Sequence, residues 1–121
     1  MNVFFNKNKM EIRFFRTSSG NEPVRKWLKK LTEKEKKTIG TDLKTIELSW
    51  PIGMPLVKHL DNGIWEVRTN LPAGKISRVI FFIHKKYIIL LHGFIKKTQK
   101  TPAKELSLAK KRKLLFEKHE V

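Results

Sequence analysis

Four segments in which apolar and polar residues alternate, all within residues 57–95, constrain the fold of this chain more than any other feature. Alternation with a period of two is typical of β-strands, because successive side chains point to opposite faces. Turn-forming residues separate the segments, which favours antiparallel pairing between consecutive strands. The segments span residues 57–60, 64–71, 76–84 and 87–95, and the turns are Asp61-Asn62-Gly63, Pro72-Ala73-Gly74 and His84-Lys85-Lys86. The sequence therefore predicts an antiparallel meander.

Apolar residues at helical spacing precede this meander. Asn21 is the expected N-cap of a first helix, and Pro23 fits its first turn. Thr32 is the expected cap of a longer second helix, which Pro51 ends. The apolar positions of the two helices are Val24, Trp27, Leu28, Leu31, Ile39, Leu43, Ile46 and Trp50. A third helix is expected over residues 103–118, after a polar stretch that ends with the cap pair Thr101-Pro102.

A strand over residues 10–16 completes the predicted order, which gives one α+β domain over residues 1–121. We expect a small antiparallel (mixed) β-sheet with the two N-terminal helices packed on one side and a C-terminal helix. The terminal helix has a wide apolar face and two leucines, Leu108 and Leu115, opposite it. Either all of these residues pack inside the molecule, or one side contacts a partner. The wide face contains Ala103, Leu106, Ala109, Leu114 and Phe116.

The net charge restricts the partners of such a domain. Lys and Arg number 27 against 11 Asp and Glu, which gives a formal charge of +16. An excess of this size repels itself in a folded monomer and favours a polyanionic partner. Nucleic acid fits better than a membrane surface, because the charge is spread along the chain. No membrane span is visible, and residues 1–14 contain no secretory signal, so we expect a soluble, cytoplasmic protein without a membrane partner.

Several kinds of chemistry are excluded by the absence of their residues. The chain has no Cys, which excludes a disulfide scaffold, a thiolate nucleophile, a zinc knuckle and an iron–sulfur site. The four His residues lack the spacing of a metal motif, and no phosphate-binding glycine loop is present. We therefore expect neither a metal nor a cofactor.

Strand parity draws attention to two arginines. Trp65 and Val67 are expected to face the helices, so Glu66 and Arg68 face the other way. A hairpin would bring Arg78 beside Arg68 on a side of the sheet that no helix covers. One interpretation is an ion-pair ladder in which Glu66 neutralises the arginines. The other is a forked cationic site for a phosphate, an anion whose geometry suits the planar guanidinium group.

Three stretches of the chain resemble one known family. They are KHLDNGIWEVR at residues 58–68, RVIFF at 78–82 and LLHGFIKKTQKTP at 90–102. They are similar to the phage-derived, HigB-like branch of the RelE toxin superfamily, which residues 14–16 and 20–24 also match. The resemblance covers nearly the whole chain, and its most specific part is residues 91–102, followed by Glu105 and Ala109.

The resemblance implies a RelE-like fold and the toxin of a type II toxin–antitoxin pair. Such toxins cut mRNA in the ribosomal A site, beside ribosomal RNA, and inhibit translation. A cognate antitoxin silences them; in this branch it is usually a helix-turn-helix protein, through which operator DNA is contacted indirectly. The cleavage is metal-free: the RNA 2′-hydroxyl attacks the adjacent phosphorus, and basic side chains stabilise the developing charge.

The resemblance also implies roles for individual basic residues. Arg68 and Arg78 match strand positions expected to hold the scissile phosphate. Lys58 and His59 are candidates for the base or for a phosphate contact. The remaining candidates follow or lie in the last strand: Lys96 and Lys97 as acid or phosphate contacts, Lys100 as an RNA contact, and His92 as a catalytic or a core residue.

In one respect the chain departs from the family pattern. Several relatives use an aromatic residue near the end of the chain to stack on the base beside the cut. The single tyrosine here, Tyr87, is expected at the wrong end of its strand, which leaves Phe94 or Phe116 as replacements. Two other functions therefore stay open: a non-catalytic nucleic-acid-binding module, and a degenerate toxin that retains only antitoxin binding.

Overall fold

A single sheet of five strands organises the computed structural model, which describes residues 9–119. The strands are β1 (Glu11–Phe14), β2 (Val57–Asp61), β3 (Ile64–Asn70), β4 (Ile76–His84) and β5 (Tyr87–Lys96), in the order β1-β5-β4-β3-β2. The meander from β2 to β5 is antiparallel as predicted, whereas β1 pairs parallel with β5. The sheet is therefore mixed, and the predicted α+β class, compatible with a RelE-like fold, is confirmed.

Three α-helices accompany the sheet: α1 (Pro23–Lys29), α2 (Glu33–Ser49) and α3 (Ala103–His119). The predicted cap of α2 is confirmed, because the Thr32 hydroxyl accepts a hydrogen bond from Glu35 N and the Glu35 carboxylate accepts one from Thr32 N. The predicted cap of α1 is wrong. Glu22 holds the N-cap position, while the carbonyl of Asn21 accepts a hydrogen bond from Thr17 N and closes the preceding turn.

The first two helices pack on the face of the sheet that carries Val67, Val79 and Phe81. Trp50, at the end of α2, contacts the rings of Trp65 and Phe81 edge to face, with centroids 5.2 and 5.4 Å apart. These contacts confirm that Trp65 and Val67 face the helices. They also place the larger apolar cluster of the molecule between α1, α2 and the sheet.

The opposite face of the sheet is covered by α3. Ala109 is fully buried there, in one cluster with Ile80 and Leu91, and Leu106 and Phe116 pack around it. The prediction that one side of the sheet is uncovered is therefore wrong. The small side chain of Ala109 lets the helix approach the sheet closely, and the carbonyl of Leu91 accepts a hydrogen bond from Arg112. This approach buries strand residues that parity alone had placed toward solvent.

The end of α3 remains in part exposed. Leu114 and Leu115 are 67% and 39% exposed, so the alternative in which every apolar residue of this helix packs inside is wrong. No helix within residues 9–119 is long and apolar enough to cross a membrane. Residues 1–8, which form most of the stretch expected to lack a secretory signal, lie outside the described residues.

Candidate functional site

The pairing of β3 with β4 brings the two candidate arginines together. Arg68 lies directly opposite Arg78, and the pairing of β2 with β3 sets Lys58 opposite Glu66. Because directly paired residues project from the same face of a sheet, these four side chains share the face on which α3 packs. The hairpin prediction that placed Arg78 beside Arg68 and Glu66 is confirmed.

The carboxylate and the two guanidinium groups of this cluster are withdrawn from solvent. Glu66 and Arg78 have no exposed surface, and only 13% of the Arg68 side chain is exposed. The Glu66 carboxylate accepts a hydrogen bond from Nε of Arg68 at 2.8 Å. Burial of a guanidinium group without a counter-charge would be very unfavourable. The Glu66 carboxylate supplies that counter-charge for the buried Arg78 and the largely buried Arg68.

Residues 97–102, which we call the connecting segment, link β5 to α3 and lie against the two arginines. The backbone carbonyl of Thr98 accepts a hydrogen bond from Nη2 of Arg78, and that of Lys100 accepts one from Nη1 of the same guanidinium, at 3.1 Å. The carbonyl of Gln99 accepts one from Nη2 of Arg68 at 2.8 Å. Three consecutive carbonyls therefore occupy donors that the phosphate interpretation had assigned to RNA.

A hydroxyl completes the attachment of the connecting segment. Oγ1 of Thr101 donates a hydrogen bond to the Glu66 carboxylate, with 2.6 Å between the oxygens. This contact was not predicted from the sequence, in which Thr101 was interpreted only as a helix cap. The pattern T-P before a helix favours that interpretation, and no local signal shows a carboxylate 35 residues away.

The electrostatic balance of the cluster depends on Glu66. Burial lowers the pKa of the Arg78 guanidinium, the Glu66 carboxylate raises it, and the charge of Arg68 lowers it. Nε of Arg78 is buried without a hydrogen-bond partner among residues 9–119. Within the same residues, no hydrogen bond engages Nη1 of Arg68, whose side chain reaches solvent. Arg68 therefore keeps a donor for an external anion, whereas Arg78 has no exposed surface.

The lysine candidates surround the cluster. Lys96 ends β5 opposite Ile76, on the face that carries Arg78, and Lys97 and Lys100 belong to the connecting segment. All three are exposed, whereas Lys58 is half-buried. None of the four forms a salt bridge with another residue in the described part of the chain. The exposed positive charge of the site is thus carried by lysines beside the buried arginines.

His92 occupies a packed position between the sheet and α3. Its Nε2 lies 2.7 Å from Oε1 of Glu105, and its Nδ1 lies 3.3 Å from Nη1 of Arg112. Burial lowers the pKa of His92, and the hydrogen bond to Glu105 opposes that shift. In the neutral ring Nδ1 accepts from Arg112 and Nε2 donates to Glu105. The ring also stacks on Phe94 of the same strand, with centroids 5.5 Å apart. Through Glu105 and Arg112, His92 joins α3 to the sheet.

His59 is the candidate that the structure separates from the others. It pairs with Trp65 across β2 and β3, and the two ring centroids are 5.4 Å apart. It is exposed, but on the face of α1 and α2. The structure therefore brings together Lys58, Arg68, Arg78, Lys96, Lys97 and Lys100, and leaves His59 on the other side of the sheet.

Of the aromatic candidates, Phe94 lies near the exposed lysines, two residues before Lys96 on the same face of β5, but it is buried. Phe94 is 7% exposed, with the Arg78 guanidinium 6.0 Å from its ring centroid. Phe116 packs edge to face against Phe82, and Tyr87 begins β5 at the opposite end from Lys96. Among residues 9–119, no three His, Asp or Glu side chains form a group that could hold a metal ion.

A mixed sheet with helices on both faces and a basic cluster at the end of its central strands defines a small α+β protein whose architecture is compatible with a RelE-like fold. A family model described as "Phage derived protein Gp49-like (DUF891)" matches residues 26–114, which is most of the chain. The chain belongs to this Gp49-like family, which is related to the RelE and HigB toxins and is associated with toxin–antitoxin systems. A search of curated proteins finds no match.

Proposed function

We propose that this protein is the toxin of a type II toxin–antitoxin pair, of the HigB-like branch, and a ribosome-dependent mRNA endoribonuclease. The observation that carries the proposal is the group of exposed lysines, Lys96, Lys97 and Lys100, beside Arg68 in a chain of the Gp49-like family. Its partners would be mRNA in the ribosomal A site, ribosomal RNA and a cognate helix-turn-helix antitoxin. Operator DNA would be contacted only through that antitoxin.

The proposed cleavage needs positive charge and proton transfer. The 2′-hydroxyl of RNA loses its proton and attacks the adjacent phosphorus, the bond to the 5′-oxygen breaks, and that oxygen takes up a proton. The products are a 2′,3′-cyclic phosphate and a 5′-hydroxyl. Each cation aimed at the developing negative charge contributes on the order of 10²- to 10³-fold in rate.

The positions of the side chains suggest a division of roles. Nη1 of Arg68 has no hydrogen-bond partner among residues 9–119, and Lys96, Lys97 and Lys100 can reach an RNA backbone that passes over the connecting segment. Lys58 shares their face and is our candidate for the base, because His59 projects from the opposite face. No acidic side chain in the described part of the chain pairs with these lysines, so they are available for phosphates.

The test is 5′-end mapping of mRNA in a bacterial translation system that contains the wild-type protein or a variant. We expect new ends at fixed codon positions, at least 100-fold fewer in Arg68→Ala because a transition-state cation is lost. Lys34→Ala, a change of an exposed lysine on α2, is the matched control and should cut like the wild type. Unchanged cutting by a folded Arg68→Ala protein would contradict the proposed site.

A second candidate function is a non-catalytic RNA-binding module or a degenerate toxin that binds only its antitoxin. The complete burial of Glu66 and Arg78 favours it, since these side chains then serve the fold. Footprinting of intact RNA, with and without ribosomes, separates the alternatives. Protection without new RNA ends indicates the module, and binding of the antitoxin without RNA binding indicates the degenerate toxin.

A further inference from the structure

The guanidinium of Arg78 binds backbone carbonyls of this protein and is not accessible to an RNA. Its side chain has no exposed surface, and both of its terminal nitrogens donate to carbonyls of the connecting segment. A phosphate could bind these nitrogens only if it displaced Thr98 and Lys100 from them. Within the structure as folded, any effect of Arg78 on RNA must therefore be transmitted through another residue.

The connecting segment is held at four consecutive residues by two buried side chains, Glu66 and Arg78, and by the largely buried Arg68. Arg78 binds the carbonyls of Thr98 and Lys100, Arg68 binds that of Gln99, and Glu66 accepts from the hydroxyl of Thr101. A backbone fixed at successive carbonyls has few conformations left. The lysines of this segment consequently extend from fixed points.

The two lysine side chains of the same segment, unlike that of Thr101, are exposed. Lys97 directly precedes the first residue held by Arg78, and Lys100 is itself held through its carbonyl, yet both are exposed. The guanidinium of Arg78 thus lies beneath a backbone whose outer side carries two cations. Preorganised charge binds an anion more tightly than charge on a mobile loop, because no ordering cost is incurred on binding.

We propose that Arg78 is a positioning residue: with Glu66 and Thr101 it fixes the connecting segment so that Lys97 and Lys100 contact the phosphates of single-stranded RNA. This inference rests on the proposed function for the identity of the ligand. It differs from the role that family resemblance implies, in which Arg78 itself holds the scissile phosphate.

The test loosens the connecting segment, first by a change at Thr101 that leaves both arginines in place and then by a change at Arg78 itself. Thr101→Val keeps the shape of the side chain but removes the donor to Glu66, Thr101→Ser keeps the hydroxyl, and Arg78→Lys keeps the charge with fewer donors. The probe is a short single-stranded RNA made uncleavable by 2′-O-methyl groups. Its affinity is measured over a range of salt concentrations, after circular dichroism and thermal unfolding show that each variant is folded.

The salt dependence distinguishes positioning from a merely structural role. Each phosphate contact to a single strand contributes about −0.7 to the log–log salt slope, so the loss of two lysine contacts reduces the slope by about 1.4. Thr101→Val and Arg78→Lys should approach this reduction and match Lys97→Ala/Lys100→Ala, while Thr101→Ser retains the wild-type slope. Combined with the double lysine change, Thr101→Val should have no additional effect.

Three results would overturn the inference. The first is an unchanged slope in folded Thr101→Val and Arg78→Lys proteins. The second is a wild-type slope equal to that of Lys97→Ala/Lys100→Ala, which would show that these lysines contact no phosphate. The third is tighter RNA binding or faster cleavage by Thr101→Val, which would show that the connecting segment covers an RNA site on Arg78.

Failure of the proposed function gives a different result. If the wild-type protein binds the RNA with the expected slope but creates no new mRNA ends on ribosomes, the endoribonuclease proposal fails. The positioning role of Arg78 is still decided by the slopes in that case, because the measurement uses an uncleavable RNA.

Discussion

Arg68 and Arg78 lie directly opposite each other across β3 and β4, on a face that α3 and the connecting segment enclose. Like charges in this position repel, and burial strengthens the repulsion. The Glu66 carboxylate lies on the same face and binds Arg68 at 2.8 Å, while backbone carbonyls bind both guanidinium groups. One buried anion and three carbonyls therefore stabilise the buried Arg78 and the largely buried Arg68.

Removal of that anion should be costly. We expect Glu66→Gln to lower the free energy of unfolding by about 2–4 kcal/mol, because the buried guanidinium of Arg78 and the largely buried one of Arg68 lose their counter-charge. Urea unfolding measures the change. Glu33→Gln is the matched control, since the Glu33 side chain is 87% exposed in a surface pair with Lys36 and its charge at the first turn of α2 should contribute less than about 1 kcal/mol. Equal destabilisation by the two changes would contradict the importance of the buried carboxylate.

Gly93 is required by the packing of α1 on β5. A Cβ atom at this position would lie 2.4 Å from Cε3 of Trp27, so the ring would have to move. We expect Gly93→Ala to lower the free energy of unfolding by about 1–3 kcal/mol through overpacking. Gly40→Ala, in an open position on α2, should instead stabilise the protein by roughly 0.5–1 kcal/mol through helix propensity. Thermal unfolding of both variants tests whether Gly93→Ala lowers the stability of the protein and Gly40→Ala raises it.

The N-terminus of α2 offers a comparison between two threonines. Thr32→Ala removes the hydroxyl that accepts from Glu35 N and should cost about 1 kcal/mol in the free energy of unfolding. The Thr38 hydroxyl donates to the carbonyl of Lys34, which needs no second donor within a helix, so Thr38→Ala should cost nothing. Chemical denaturation of the two variants measures the difference. A larger loss for Thr38→Ala would disprove the role of the capping box.

His92 should make stability depend on pH. Burial lowers its pKa below the ordinary value of 6.5, so in the window between the two values the unfolded chain binds a proton that the folded chain does not. The contribution that the neutral, buried His92 makes to the free energy of unfolding is fully present above pH 6.5. It declines as the pH falls through that value toward the folded pKa. The groups that face the ring are Glu105 and Arg112.

We therefore expect the wild-type protein to lose more unfolding free energy between neutral and mildly acidic pH than His92→Gln, whose amide can still bond to Glu105 and Arg112. Urea unfolding across that range measures the two slopes, and an NMR titration of the imidazole C–H signals reports the folded pKa directly. Parallel stability profiles, or a titration above the ordinary value, would contradict the prediction.

Much of the fold could be predicted because its signals are local. The turn Asp61-Asn62-Gly63 joins β2 to β3 as expected, with Gly63 at φ 66°, and the cap of α2 forms within four residues. The orientation of Trp65 and Val67 followed from strand parity alone. The parallel pairing of β1 with β5 was not predicted, because it joins segments more than 70 residues apart whose own patterns fit either direction.

The position of the candidate site could be predicted from the sequence, but the burial of its side chains could not. Strand parity and the hairpin placed Arg68 and Arg78 side by side, as the structure has them. That the pair is enclosed depends on the packing of α3 through Ala109 and on hydrogen bonds from the guanidinium groups to carbonyls of residues 98–100. Because every residue has a backbone carbonyl, the sequence does not indicate which carbonyls accept these hydrogen bonds.

The sequence by itself determined the strands and helices, the turns between them, the faces of the strands and the excess of positive charge, because each depends on neighbouring residues or on composition. Only the tertiary structure decided which of those charges meet solvent. Burial is set by contacts between distant segments, and here they enclose Arg78 and Glu66 while they leave Lys97 and Lys100 exposed.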